Sequence, residues 1–262
     1  MTADRLGFAV SLARKAGALA QSMRNQAGGL DYTIKAPEDY ATDADYAVEA
    51  LIRQRIAETY PEDGVLGEEE GLQGRVDGCW IVDPIDGTTN FSRGMDDWGI
   101  SIGYFNGTSF ELGVIYAPDK NLMASGQAGR GSFVNGKPVD FGMVHPDQVR
   151  LVSLGYSDRQ PMHEYTDRIA RIREAGMDHR RHGAATIGFI GILSGWFDAY
   201  YERALNIWDA AAGLAMINAA GGVIEHGPIQ TFVKEPVRVL AHNGRIPDIA
   251  RIMDPPHSQA AE

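Results

Sequence analysis

The chain has 262 residues, of which 44% are hydrophobic and 23% are charged, and its formal net charge is −11 at pH 7. This balance is typical of a folded globular protein with a sizeable core, and it excludes an extended disordered chain. The negative charge argues against a nucleic-acid-binding surface, which requires clustered lysine and arginine side chains.

Neither a membrane span nor a disulfide is expected. The apolar runs fall short of the ~20 residues that a transmembrane helix needs, and Arg5, Arg14 and Lys15 interrupt any secretory signal pattern near the N-terminus. The single cysteine, Cys79, has no second cysteine with which to form an internal disulfide, which favours a reducing compartment. We therefore expect a cytoplasmic location, with neither a membrane nor a nucleic acid as partner.

The first half of the chain begins with two amphipathic helices. Apolar residues at helical spacing predict one helix from about residue 5 to 25 and a second from about 43 to 59, with Thr42 as its N-cap. The second helix is followed by short apolar runs that predict strands in direct succession, without helices between them. These strands cover residues 65–66, 79–82, 99–105, 110–116 and 122–124, and an Asn135-Gly136 turn predicts a hairpin after them.

Helices and strands alternate in the second half. The expected strands lie at 151–154, 197–201 and 237–241, and the expected helices at 161–175, 185–193 and 209–220. This order of elements predicts a layered α/β or α+β fold with an N-terminal half over residues 1–145 and a C-terminal half over residues 146–262. The tail from Asp254 onwards is Pro-rich, polar and aperiodic, and we expect it to be disordered.

The most informative segment is the run Asp-Pro-Ile-Asp-Gly-Thr-Thr at 83–89. A strand delivers Asp83 at its end, and the proline after it begins a turn, so that Asp83 and Asp86 can converge on one point. Two carboxylates so close together repel each other unless a cation lies between them. Gly87 lets the backbone approach a ligand, and Thr88 offers donors that suit a phosphate. An acidic loop with an ordinary helix cap explains the two aspartates, but not the whole run.

Two further acidic segments are ambiguous when taken alone. Glu68 lies in a Glu-Glu-Glu run between two glycines, which reads as a solvated turn, and Asp209 begins an apolar helix, which reads as a cap. Taken together with Asp83, Asp86 and a backbone carbonyl of the turn between them, they form an all-oxygen set that suits Mg²⁺. No His or Cys residues occur at zinc spacing.

The three acidic segments resemble the signature segments of the inositol monophosphatase family, in the same order and with similar separations. They are Gly67-Glu68-Glu69, the run from Asp83 to Phe91, and Trp208-Asp209 with the alanines and glycine that follow. The resemblance extends from about residue 5 to 253. It implies a layered αβαβα sandwich of the inositol monophosphatase and fructose-1,6-bisphosphatase type, in a magnesium-dependent, lithium-sensitive phosphatase that is usually a homodimer.

The resemblance also implies a role for individual residues around two or three Mg²⁺ ions. The implied metal ligands are Glu68, Asp83, Asp86, Asp209 and the carbonyl of Ile85. The implied catalytic residues around the attacking water are Glu68, Glu69, Asp45 and Thr88. The implied substrate-binding residues are Asp86, Gly87, Thr88, Gly183, Ala184, Ala185, Glu202 and Asp209.

The function implied is hydrolysis of a small phosphate monoester, above all inositol monophosphate, by a metal-activated water. Many relatives carry a hydroxyl residue in place of Ala184 and a glycine in place of Ala204, so the substrate alcohol is the open point. Alternatives within the superfamily are phosphatases for histidinol phosphate, a sugar phosphate or a nucleotide. An alternative of another class is a regulatory or RNA-associated homologue with little turnover, and the intact carboxylate set argues against it.

Overall fold

The structure of the protein is a computed structural model that describes residues 4–26, 32–36, 39–143 and 148–255. Within those ranges the chain forms eight α-helices. They are α1 Arg5–Arg24, α2 Asp43–Thr59, α3 Thr88–Ser92, α4 Met162–Glu174, α5 Ala185–Leu193, α6 Ile207–Ala219, α7 Ile229–Phe232 and α8 Ile249–Met253. A 3₁₀ turn covers Phe141–Met143. None of the described helices is long and apolar enough to cross a bilayer.

Fifteen strands form within the same ranges. They are β1 Tyr32–Ala36, β2 Asp39–Thr42, β3 Gly64–Gly67, β4 Gly71–Gln73, β5 Cys79–Asp86, β6 Gly99–Phe105, β7 Phe110–Ala117, β8 Leu122–Gln127, β9 Gly131–Val134, β10 Lys137–Pro138, β11 Leu151–Leu154, β12 Asp178–Arg180, β13 Ala199–Leu205, β14 Val223–His226 and β15 Val237–His242. Strands β1 and β2 pair as a hairpin.

The remaining strands make two sheets. The larger has the order β10-β9-β8-β7-β6-β5-β3-β4 and is antiparallel except where β3 and β5 run in parallel. The smaller has the order β12-β11-β13-β15-β14, and β11 runs parallel to both of its neighbours. Because parallel neighbours bring their carboxyl ends to one edge, residues that follow β3 and β5, or β11 and β12, leave the sheets side by side.

Five layers stack because each sheet buries both faces. Trp80 and Val82 pack against α1 and α2, whereas Ile81 on the opposite face packs against α5 and α6. In the smaller sheet Tyr200 faces those same central helices, and Tyr201 faces α4 and α8. Successive side chains of a strand point to opposite faces, so this alternation places α5 and α6 between the two sheets. The predicted αβαβα sandwich is confirmed.

The long helices and most strands lie where the sequence predicts them, with two corrections. The expectation of strands in direct succession is wrong at α3, a short helix between β5 and β6. The strand predicted at 197–201 is displaced: β13 runs Ala199–Leu205, so Glu202 lies within the strand instead of beyond it. Pairing with β15 explains why the strand continues past Tyr201, because Glu202 pairs with Val239 of β15.

Two other expectations concern regions at the margin of the described residues. The proposed boundary between the halves at residue 145, and most of the C-terminal tail, lie outside those residues. Asp254, the first residue of the predicted disordered tail, is held in place, because the hydroxyl of Tyr201 donates a hydrogen bond of 2.7 Å to its Oδ1. Arg168 also pairs with it at 3.3 Å.

Candidate active site

Two adjacent parallel strands, β3 and β5, deliver the first acidic residues to one edge of the larger sheet. Gly67 pairs with Val82 at the end of the ladder, so Glu68 and Asp83 follow side by side. Burial raises the pKa of Asp83 and the charge of Glu68 raises it further, which agrees with that placement. The sequence predicts both carboxylates but gives no sign that their strands are parallel neighbours.

A bulge turns Asp83 and Asp86 to the same side. Two residues three positions apart on a regular strand face opposite ways. Here Asp83 pairs with Ser101 and Asp86 pairs with Gly99 of β6, so β5 contains one extra residue between the two aspartates. The N–H of Ile85 donates a 3.0 Å hydrogen bond to Asp83 Oδ1 within the bulge. The bulge produces the convergence of Asp83 and Asp86 that the proline-containing turn predicts.

The third carboxylate comes from the central layer. Asp209 lies in the first turn of α6, where its Oδ2 accepts a 3.3 Å hydrogen bond from the N–H of Asn206 in a capping box. The helix packs closely on the sheet because β7 has Gly113 at the contact, where a Cβ would overlap the backbone of Ala212. One carboxylate oxygen from each of Asp83, Asp86 and Asp209 lies within 4.8 Å of the others.

The three carboxyls, which are buried or partly buried, are electrostatically strained. Burial raises the pKa of Asp83 well above its ordinary value, and neighbouring carboxylates raise it further. Burial first, and then the charge of Asp86, raises the pKa of Asp209 to about 7. The carboxyl groups of Asp83 and Asp209 also share a hydrogen bond. A cluster of hard oxygen ligands that resists ionisation by itself fits a divalent cation such as Mg²⁺, which would stabilise all three charged forms.

Asp86 connects the carboxylate cluster to the N-terminus of α5. Burial raises its pKa, and hydrogen bonds from Thr186 and from the backbone of Ala185 oppose that rise. The N–H of Thr186 donates to Asp86 Oδ2 at 2.6 Å. A carboxylate at a helix N-terminus is stabilised by the unpaired N–H groups there. The structure therefore places the backbone of Ala185 beside Asp86.

Gly87 brings the segment at 183–185 against the turn after β5. Its φ of +87° lies in the left-handed region, and a Cβ there would stand 3.0 Å from the Cβ of Ala184 and 3.5 Å from the carbonyl of Gly183. The structure therefore places Gly183, Ala184 and Gly87 together. Ala184 is 8% exposed and offers no hydroxyl to a ligand.

Thr88 and Asp45 meet between α3 and α2. The hydroxyl of Thr88 lies 3.3 Å from Asp45 Oδ1 and 3.1 Å from the carbonyl oxygen of Ile85, and its single proton can be donated to one of them at a time. The other carboxylate oxygen of Asp45 accepts hydrogen bonds from the N–H of Thr42 at 2.7 Å and from its hydroxyl at 2.6 Å. Asp45 is thus fixed by the capping box of α2, and it fixes Thr88 in turn.

Glu202 lies on the side of the cluster that faces the smaller sheet. It is 8% exposed, and its Oε2 accepts a 2.6 Å hydrogen bond from the hydroxyl of Tyr200. Burial raises the pKa of Glu202 to about 8; the Tyr200 bond opposes the rise, and the charges of Asp209 and Asp86 add to it. Gly155 packs on the same carboxylate, where a Cβ would overlap Oε2.

Several residues at the site escape sequence reasoning. Glu49 of α2 accepts a hydrogen bond from the N–H of Glu69 at 2.8 Å, and it lies beneath the turn that carries Glu68. Its spacing of four from Asp45 is a signal that could have indicated a polar stripe on α2. Arg159 lowers the pKa of both Glu202 and Asp209 by its charge, and nothing in the sequence marks it.

Similarity to known proteins shows the family of this chain. The model of the inositol monophosphatase family matches residues 2–254. The chain belongs to the inositol monophosphatase family. Within it, inositol monophosphatase 1 of Xenopus laevis is 34% identical over 251 residues, which cover 91% of this chain and 87% of that protein. The Nus factor SuhB of Haemophilus influenzae is 31% identical over 223 residues, which cover 84% of each.

Solved structures of the family share the fold. The extragenic suppressor protein SuhB of Bartonella henselae superposes with a TM-score of 0.86 at 28% identity, over 95% of this chain and 98% of that one. An inositol monophosphatase of Thermotoga maritima gives 0.80 at 26% identity, over 95% and 96%. The family resemblance inferred from the three acidic segments is thereby confirmed.

Proposed function

We propose that this chain is a Mg²⁺-dependent phosphatase that hydrolyses a small phosphate monoester, with inositol monophosphate as its leading substrate. The observation that carries the proposal is the cluster of Asp83, Asp86 and Asp209, whose oxygens converge within 4.8 Å. Membership of a phosphatase family supports the reaction class. Exposed acidic clusters are common without an ion, but these carboxyls are buried or partly buried and their pKa values are raised.

The residues that would hold Mg²⁺ are Glu68, Asp83, Asp86, Asp209 and the carbonyl of Ile85. When bound, Mg²⁺ supplies charge neutralisation for the phosphate dianion, a lowered pKa for a coordinated water and stabilisation of the leaving alkoxide. Asp83 is the central residue of the set. The parallel pairing of β3 and β5 places it beside Glu68, and its carboxyl shares a hydrogen bond with Asp209. It is the residue best placed to serve two ions.

The chain's own groups would orient the attacking water and bind the phosphate. The hydroxyl of Thr88 donates its proton to Asp45, so its oxygen would accept a hydrogen bond from the water. Glu68 would take the proton from that water, with Glu69 of the same turn beside it. The backbone N–H groups of Gly87 and Thr88 would bind the phosphate oxygens, because they lie at the start of α3, where the first N–H groups have no partner within the helix.

The alcohol portion of the substrate would lie against Glu202 and the segment at 183–185. A buried carboxylate that bonds a substrate hydroxyl discriminates strongly against analogues without that hydroxyl. Because Ala184 offers no hydroxyl, selectivity would depend mainly on Glu202. We therefore expect activity on inositol monophosphates together with other small polyol or sugar monophosphates. Histidinol phosphate and nucleotides are the competing substrates within the superfamily.

A second candidate function follows from the relatives named Nus factor SuhB, which are 30–31% identical to this chain. A protein of that kind would have a regulatory role, and its phosphatase activity would be incidental. The N-terminal half is acidic, with 12 Lys and Arg against 21 Asp and Glu in residues 1–145, whereas the second half is nearly neutral, with 12 against 14 in residues 146–262, and is the less unfavourable half for a nucleic acid. A homodimer in the cytoplasm fits both candidates.

Phosphate release from a panel of monoesters tests the proposal. The panel contains inositol 1-phosphate, a sugar monophosphate, histidinol phosphate, a nucleoside monophosphate and a simple aryl phosphate, each with Mg²⁺ and with excess chelator. The proposal predicts Mg²⁺-dependent release, greatest with the polyol and sugar substrates. Release from histidinol phosphate alone would overturn the proposal that inositol monophosphate is the leading substrate. No release from any member of the panel would favour the regulatory candidate.

A further inference from the structure

Helix α2 carries three buried polar side chains in a row. Asp45, Glu49 and Arg53 recur every four residues, and they are 0%, 0% and 7% exposed. Side chains at this spacing lie on one face of a helix. The apolar residues at 48, 52 and 56 form a second buried row that packs in the core beneath α1. The polar row is therefore a second buried surface of α2, and its contacts show what it faces.

Glu49 and Arg53 face the turn between β3 and β4, which is the turn that carries Glu68. The carboxylate of Glu49 accepts three hydrogen bonds: from Arg53 Nε at 2.8 Å, from the N–H of Glu69 at 2.8 Å and from the N–H of Glu70 at 3.0 Å. A Cβ on Gly67 would overlap that carboxylate, so the glycine is what allows it to approach the turn.

Arg53 secures the other side of the same turn. Its guanidinium donates to the carbonyl oxygen of Gly71 at 2.6 Å and to that of Val65 at 3.3 Å, and these residues belong to the two strands that the turn joins. Among the described residues, the polar contacts of Glu49 and Arg53 beyond their own pair therefore end on residues 65–71, on either side of Glu68.

A turn of this length does not need a buried ion pair to form. Removing two charges from water is costly, and an apolar pair of similar volume is often as stable. The ion pair is better explained by what it orients. Glu68 follows Gly67, and the parallel register places it directly beside Asp83. Groups that hold a metal ligand in place typically change metal affinity 10- to 100-fold when they are removed.

We propose that Glu49, held by Arg53, is a positioning residue that keeps the Glu68 carboxylate beside Asp83 for Mg²⁺. The inference rests on the proposed Mg²⁺-dependent function. At the first turn of α2, Asp45 holds Thr88 in the same way. One rigid helix thus orients both the turn that carries a metal ligand and the hydroxyl that would orient the water.

The test is a double-mutant cycle on Mg²⁺ binding, measured by titration calorimetry on the metal-free protein. The four proteins are the parent, Glu49→Gln, Glu68→Gln and the double variant. In Glu49→Gln the amide nitrogen faces backbone N–H groups and cannot accept from them, so Mg²⁺ affinity should fall about 10-fold or more. In the Glu68→Gln background, adding Glu49→Gln should lower Mg²⁺ affinity by less than about 2-fold, because the carboxylate that Glu49 positions is already absent.

Glu58→Gln is the matched control, since Glu58 lies on the same helix, is exposed, and loses the same charge. It should bind Mg²⁺ like the parent. Arg53→Lys is a second, milder variant that can be measured if Glu49→Gln does not fold. It keeps the positive charge but cannot donate to Glu49 and to the carbonyl oxygens of both strands at once. Parent-like affinity in both variants would overturn the inference, as would an equal loss with and without Glu68. A parent that binds no Mg²⁺ would overturn the proposed function itself.

Discussion

Replacing Asp209 by asparagine should stabilise the metal-free protein above neutral pH. Asp209 is partly buried, and its pKa is about 7 in the folded protein against an ordinary 3.8. One pKa unit corresponds to ~1.4 kcal/mol, so ionising Asp209 in the folded state costs up to about 4 kcal/mol. Structural relaxation and the hydrogen bond shared with Asp83 reduce the cost, and we expect a gain of about 1–3 kcal/mol in the free energy of unfolding.

The direction of the pH dependence follows from linkage. The folded state of the parent holds the Asp209 proton more tightly than the unfolded state does, so the contribution of this group to stability declines as the pH rises from about 3.8 to about 7 and is constant above that. The variant lacks that decline. The two proteins should therefore be equally stable with respect to this group at pH 3.5, and they should differ most at pH 8.

Denaturant unfolding of the metal-free proteins between pH 4 and 8 measures the difference. Asp167→Asn, an exposed aspartate on α4, is the control and should follow the parent. Mg²⁺ at about 1,000 times its Kd should reverse the order of stability, because it adds ~4.1 kcal/mol to a protein that binds it and nothing to one that does not. Parallel pH profiles for parent and Asp209→Asn would refute the view that the cluster is held under electrostatic strain.

Three further substitutions follow from the same geometry. Asp83→Asn should lower the rate of phosphate release on the order of 10³-fold, since several kcal/mol of transition-state stabilisation are lost with this metal ligand, while the metal-free fold persists. Turnover near that of the parent would show that Asp83 is only a turn residue. Thr88→Ala should lower kcat by ~10²–10⁴-fold with calorimetric Mg²⁺ affinity unchanged, and a matching loss of affinity would move Thr88 into the metal shell. Glu202→Ala should reduce turnover of inositol 1-phosphate far more than turnover of an aryl phosphate, which has no such hydroxyls. Equal losses on both substrates would place Glu202 outside the alcohol pocket.

The parts of the site that are readable from the sequence are those that depend on local chain geometry. The Asp-Pro-Ile-Asp-Gly-Thr run predicts convergent carboxylates because the proline and glycine restrict the turn, and the bulge between Asp83 and Asp86 is how the chain achieves it. Asp209 carries a capping signal, since helix starts favour an acidic residue in the first turn. The helices α1 and α2 are predicted by their apolar spacing.

The parts that escape the sequence depend on pairing between distant segments. Nothing local shows that β3 lies parallel to β5, so the proximity of Glu68 to Asp83 follows only from family resemblance or from the register. The predicted strand ends at Tyr201, before Glu202, because the apolar run ends there, and only the pairing with β15 extends the strand. Glu49 and Tyr200 are polar residues in amphipathic elements, and their burial depends on what packs above them.

Phosphate release from inositol 1-phosphate by metal-free protein, followed as Mg²⁺ is added back, tests the central claim most directly. We expect no release after chelation and a saturable return of activity with Mg²⁺, because the converging carboxylates of Asp83, Asp86 and Asp209 serve to bind the cation. Undiminished release in protein whose metal content is verified to be negligible would contradict it.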